Sequence, residues 1–264
     1  MKLLFSFDEV NLLHSDCFYP PLQTWITKLS QGYSILHLAV MEGNESIVKF
    51  LLDMGVDPNN QNRWGETALQ SLMAEKEYSD QLDLIALLLQ AGTDPNLSNT
   101  AGITPLHIAA GGKSEQIMKV LISFGGNLNS VDSQGNTPLH FACANPHEEI
   151  LELIVENSEI LNTYNLGGES PLHWAVGNGY FFHVQILIDH GADPDIQDFS
   201  GNTPLHWAVF SENPDMVNLL IFNNCDWSIK NNQQLTAADI AEKYLNYSKN
   251  FSLIRQILLS VDQN

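Results

Sequence analysis

Gly135-Asn136-Thr137-Pro138-Leu139-His140 is the stretch that decides the fold, because the chain repeats it. Close copies stand at Gly102–His107 and Gly201–His206, and Gly168-Glu169-Ser170-Pro171-Leu172-His173 changes the Thr to Ser. Weaker copies stand at Ser34-Ile35-Leu36-His37, Thr67-Ala68-Leu69-Gln70 and Thr236-Ala237-Ala238-Asp239. The step from Thr104 through Thr137, Ser170 and Thr203 to Thr236 is 33 residues each time; Ser34 to Thr67 is also 33, and Thr67 to Thr104 is 37. A fixed period of this length marks stacked copies of one small unit.

Residues 102 to 134 show the unit best. Thr104 can cap a helix with its hydroxyl, and Pro105 falls where no backbone donor is needed. The pattern predicts a first helix through Leu106, Ile108 and Ala109, then a second from about Ser114 with Ile117, Val120 and Leu121 on one face. Gly125 and Gly126 end it in the left-handed conformation. Asn127 to Gln134 form a long turn into the next copy. Such a unit cannot bury its own apolar face and relies on its neighbours.

The repeat resembles the ankyrin family. The matching elements are Gly-x-Thr-Pro-Leu-His and the closing turns Gly191-Ala192-Asp193-Pro194-Asp195, Gly92-Thr93-Asp94-Pro95-Asn96 and Gly55-Val56-Asp57-Pro58-Asn59. The expected fold is all-α, a solenoid of helix-turn-helix units joined by β-turn or hairpin loops. Seven repeats are expected, near 32–64, 65–101, 102–134, 135–167, 168–200, 201–233 and 234–264, behind a divergent N-terminal capping segment at 1–31. In that segment Pro20-Pro21 breaks the chain, and Leu22, Trp25, Ile26 and Leu29 follow at helical spacing. The second repeat carries four extra residues around Glu75-Lys76-Glu77-Tyr78-Ser79. The fourth has Ser158, and the sixth Asn224, where the helix-ending glycine is expected.

Charge excludes several functions. Lys and Arg total 11 against 31 Asp and Glu, a net charge of −20. Nucleic-acid binding needs cations that displace phosphate counterions, and an anionic membrane surface asks for the same. The expected partner is another protein, one with a basic surface, met by a monomer. No apolar run approaches 18 residues, and Asp8 and Glu9 end the N-terminal apolar stretch too early for a signal peptide. A cytoplasmic location is expected. Cys17, Cys143 and Cys225 lack ligand spacing and read as small buried apolar residues in a reducing compartment.

No enzyme motif is present. There is no Gly-x-Ser-x-Gly, no complete phosphate loop and no His-Glu-x-x-His; Gly111-Gly112-Lys113-Ser114 lacks the earlier glycine and a preceding strand. The expectation is a non-enzyme with no cofactor and no metal. His37, His107, His140, His173 and His206 share one repeat position. The resemblance implies that each ties its turn to the next repeat. Repeats stacked roughly 10 Å apart would hold these rings too far apart for one zinc ion. Asn62, Asn99, Asp132, Asn165, Asp198 and Asn231 form a second ladder, each bonding its own turn backbone. Phe141, Trp174 and Trp207 share a position and are expected to stack across three repeats.

Function should lie where the repeat varies. The resemblance implies that residues beside the repeat glycine project from the turn tips and that the ends of the first helices line a concave groove. Tyr33, Met41, Glu42, Arg63, Trp64, Glu66 and Glu75 are the candidates in the first two repeats. Gln134, Asn136, Asn145, Glu169 and Asn178 follow in the middle, and Phe199, Asn202 and Phe210 further on. Trp64, Phe199 and Phe210 are apolar where solvent would otherwise be met. The resemblance also implies asparaginyl hydroxylation at Asn59, Asn96 or Asn129, with Leu51, Leu88 and Leu121 eight residues earlier. Two contexts follow: a bacterial effector acting in a host cell, suggested by the Asn-rich, Arg-poor composition, or an IκB-like inhibitor or scaffold masking a basic segment. A small-molecule role would need an aromatic cage at Trp174 and Trp207.

Overall fold

The computed structural model describes residues 27–74, 81–158 and 160–261. Most of the N-terminal capping segment, Cys17 and the Glu75–Ser79 insertion lie outside the described residues. So does Glu75 as a binding candidate.

The described chain is a row of helix pairs: α1 (Ile35–Met41) with α2 (Glu45–Asp53), α3 (Ala68–Met73) with α4 (Leu82–Gln90), α5 (Pro105–Ala110) with α6 (Glu115–Ser123), and α7 (Pro138–Cys143) with α8 (Glu148–Glu156). It continues with α9 (Pro171–Gly177) and α10 (Phe181–Asp189), α11 (Pro204–Phe210) and α12 (Pro214–Phe222), and α13 (Ala237–Lys243) and α14 (Lys249–Val261). No strand occurs among the described residues. The connections are hydrogen-bonded turns instead. Each first helix packs on its own partner and on the first helices of adjacent repeats.

Local chemistry sets these helix starts. Proline occupies the opening turn of α5, α7, α9 and α11, where its missing donor costs nothing. The Thr or Ser before it pairs with the histidine three residues on in a reciprocal capping box. Buried Ala39, Ala109, Ala142, Ala175, Ala208 and Ala241 recur in the first helices and let them approach closely. Leucines such as Leu69, Leu106, Leu139, Leu172 and Leu205 fill the space between pairs, each worth about 1.5–3 kcal/mol when fully buried. Cys143 and Cys225 sit in this core as free thiols, and burial pushes Cys225 up to about 12.

The second helices of the first, second, third, fifth and sixth repeats close on a left-handed residue: Gly55, Gly92, Gly125, Gly191 and Asn224. After each, the next N–H reaches back to close the last turn, as Gly126 does to Leu121 at 2.9 Å. At Ser158 the left-handed residue is missing. There α8 ends with Asn157 donating to the Ile154 carbonyl at 3.1 Å.

Candidate functional site

The turn tips are built around their Asx residues. Asp132 Oδ1 accepts from the N–H groups of Gln134 and Asn136, both at 2.8 Å, and the Asp132 N–H donates to the Asn136 carbonyl at 2.9 Å. Asn62, Asn99, Asn165, Asp198 and Asn231 build the same turn. Adjacent tips are tied through backbone: Thr100 N–H to the Trp64 carbonyl, Ser133 to Ala101 and Leu166 to Gln134, each at 2.8 Å.

The histidines link this layer to the helices. His37, His107, His140, His173 and His206 donate from Nε2 to the carbonyls of Glu66, Asn136, Glu169, Asn202 and Leu235, at 2.9–3.1 Å. Each Nδ1 accepts from the N–H of the capping Ser or Thr. That arrangement fixes a neutral ring protonated at Nε2. Burial pushes all five below the ordinary histidine value, His140 to about 4. Gln70 replaces the histidine in the second repeat and reaches the Ile103 carbonyl at 2.7 Å. In the last repeat Asp239 keeps only the local half, accepting from Thr236. Among the described residues no group of three His, Cys, Asp or Glu side chains could hold a metal.

Several candidate contact residues are occupied by this scaffold. Asn136 is not a projecting tip: it is 6 % exposed, its amide donates to Asp132 Oδ2, and its Oδ1 accepts from Asn165 Nδ2 at 2.9 Å. Asn145 is 5 % exposed and donates to the Ala110 carbonyl at 2.8 Å and to that of Gly112. A short amide beside a carbonyl of the previous repeat becomes a tie rather than a groove contact. Glu169 accepts from Asn165 Nδ2 and from the Trp174 indole, Glu66 accepts from Asn62, and Asn202 accepts from Asn231.

The aromatic ladder is a mixed one. Phe141, Trp174 and Trp207 each meet the histidine of the preceding repeat edge-on, at centroid distances of 5.2, 5.6 and 5.4 Å. The two indoles donate to Glu169 and Asp198. A ligand cage would need those faces and donors free.

Other candidates do reach solvent. Glu42, Arg63, Gln134, Asn178, Phe199 and Phe210 are exposed, and Tyr33, Met41 and Trp64 are half-buried. Tyr33 packs on Trp64 with centroids 5.6 Å apart, and the Arg63 guanidinium lies 4.2 Å over the Trp64 ring. Asn59 and Asn96 each clamp the next repeat, donating to the Gly92 and Gly125 carbonyls and accepting from Asp94 and Asn127.

Sequence reasoning passed over two features. His183 is a further inter-repeat tie, donating to the Asn145 carbonyl at 2.8 Å; it lies off the repeat motif, and only its place on the inner side of α10 signals it. Val131, Tyr164 and Leu166 are exposed apolar residues at turn tips. Comparing equivalent turn positions, which hold Gln61, Ser98 and Thr100 elsewhere, would have found them.

The comparisons agree with this architecture. The family model for ankyrin repeats (three copies) matches residues 8–96, 71–165 and 158–231. The chain belongs to the ankyrin-repeat family. Among solved structures it is similar to the ankyrin repeat domain of Bcl-3, described as a unique member of the IκB protein family: 27 % identity, 80 % of this chain and 94 % of that one covered, TM-score 0.71. It is likewise similar to the human ASB11 ankyrin repeat domain, with 25 % identity, 84 % and 96 % coverage and a TM-score of 0.71. No curated protein sequence matches it. Ankyrin repeats generally mediate protein–protein interaction. No helix among the described residues is long and apolar enough to cross a membrane.

Proposed function

We infer that this chain is a protein-recognition module that holds a basic segment of a partner protein against its groove and turn tips. One observation carries the reading. The polar residues common to the repeats are bonded to one another, while the acidic surface is left unneutralised. Among the described residues only Glu115 and Glu242 meet a Lys or Arg, Lys119 and Arg255. Unpaired acid on a rigid frame steers a cationic partner and weakens its escape at low salt. Trp64 with Arg63, Phe199 and Phe210 supply apolar contact on that frame.

Similarity to an IκB-type domain favours an inhibitor or scaffold context. A host-cell effector would use the same surface, and composition alone supports that context. Hydroxylation at Asn59, Asn96 or Asn129 would modify turns of this surface; peptide mass analysis after exposure to a hydroxylase-containing lysate tests it by a gain of about 16 Da. Asn96 and Asn129 are exposed and Asn59 is half-buried, and the amides of Asn59 and Asn96 are clamped.

The recognition reading is tested by capture from eukaryotic lysate at rising salt. Basic proteins should be retained at low salt and released several-fold between about 50 and 300 mM, as the Debye length shortens. Retention of acidic or neutral proteins indifferent to salt would count against it.

A further inference from the structure

The fourth repeat breaks the surface pattern in one place. Asn165 turns its side chain into the tip, where it is buried. Its neighbours Tyr164 and Leu166 therefore face outward, at 51 % and 68 % exposure. Val131 stands one repeat before Tyr164, and Phe199 one repeat after Leu166, exposed by 57 % and 68 %. The tips that carry them are joined directly: Leu166 N–H donates to the Gln134 carbonyl at 2.8 Å and Phe199 N–H to the Gly167 carbonyl at 3.4 Å. Ile160, also exposed, stands in the same repeat at the position held by Asp57, Asp94, Asp193 and Asp226 elsewhere. Three consecutive repeats thus present one apolar strip.

Acid continues the row of Ile160, whose repeat position Asp193 and Asp226 hold in the fifth and sixth repeats. Asp193 and Asp226 are exposed, and Asp195 lies between them, accepting from the Asp226 N–H at 2.7 Å. Partial burial and the two neighbouring carboxylates push Asp195 above its ordinary value. The cations of these rows, Arg63 and Lys230, stand in the first and sixth repeats, and neither is ion-paired with these acids. A purely apolar occupant would leave the acids facing its backbone uncompensated. A purely basic one would leave Leu166 and Phe199 in water.

We propose that the strip Val131–Tyr164–Leu166–Phe199, with Ile160, docks an extended segment of a partner protein in which apolar side chains adjoin two or more Lys or Arg residues. The apolar part lies on the tips of the third to fifth repeats, and the cations face Asp193, Asp195 and Asp226. Repeats spaced roughly 10 Å apart and an extended chain rising about 3.3 Å per residue give about six residues along the apolar part and about nine as far as the sixth repeat. This rests on the recognition reading and names which tips serve it and what they take.

The probe is a displayed library of random 12-residue peptides, selected on the wild type and counter-selected on Leu166→Ser/Phe199→Ser. Val131→Ser/Leu166→Ser is the second variant, because Phe199 also packs on its neighbour's turn. Enriched peptides should join apolar residues to Lys or Arg. A synthesised one should lose about tenfold or more in affinity on either variant, as truncated interface anchors do. It should also weaken several-fold from about 50 to 300 mM salt. Peptides without cations, affinity unchanged on both variants, or no enrichment at all would each overturn the strip. Peptides that depend on Trp64 or Phe210 instead would overturn the strip and leave the recognition reading standing.

Discussion

The ring of Phe199 lies against Gly168: a β-carbon added at 168 would stand 2.3 Å from Phe199 Cδ1 and 2.4 Å from its backbone nitrogen. Gly168 also has φ +76°, a conformation that costs other residues about 1–2 kcal/mol. The turn that closes the fifth repeat is thus seated on the glycine that opens it. Gly168→Ala should destabilise the protein by about 2–4 kcal/mol, combining that strain with displaced backbone. Urea unfolding measures it. A loss under about 0.5 kcal/mol would mean the two turns are not in this contact.

The histidine ladder makes stability depend on pH. Each ring is held neutral, so its folded value lies below the unfolded 6.5. The unfolded chain then takes up protons first as pH falls. The stabilisation is full above about pH 6.5 and is lost on descending; for His140 the loss runs down to about 4. At about 1.4 kcal/mol per pH unit that ring alone accounts for roughly 3 kcal/mol. Asp195 titrates with the opposite sign, so the comparison must isolate one ring. His140→Gln does this, because Gln70 already fills the role in the second repeat. The variant should unfold near the wild-type midpoint at pH 7 and lose less stability by pH 5. Parallel pH profiles would refute the neutral-ring account.

Two helix ends invite improvement. Asn224 holds φ +61°, so Asn224→Gly should gain a few tenths to about 1 kcal/mol. Ser158→Gly supplies the residue that α8 lacks and should gain a similar amount. Thermal unfolding checks both. A loss at Ser158→Gly would show that the fourth-repeat turn depends on serine, whose Oγ accepts from the Ile160 N–H at 3.3 Å.

Asn145→Ala should cost about 1–3 kcal/mol, because the Ala110 and Gly112 carbonyls lose their partner. Partner binding by the folded fraction should be unchanged. Affinity measured against the folded concentration checks this; a tenfold loss would return Asn145 to the contact surface.

The repeat was readable because its residues serve the backbone locally. Thr104, Pro105 and His107 cap a helix wherever they occur, and the 33-residue phase carries them along the chain. The surface was less readable. Asn136 and Asn145 vary between repeats, which looks like freedom to bind. Yet Asn136 accepts from Asn165 on the adjacent tip and Asn145 donates to the Ala110 carbonyl of the previous repeat, and sequence spacing does not show which variable side chain meets such a partner. Leu166 was missed for the opposite reason, since a single apolar residue in a polar turn looks incidental until its neighbours in the adjacent repeats are set beside it.

The most direct test of recognition by the exposed residues is capture from eukaryotic lysate with wild type and with Trp64→Ala/Phe199→Ala/Phe210→Ala, both folded by circular dichroism. The account predicts that the triple variant loses the partners the wild type retains. The same partners held at the same salt by both proteins would contradict it.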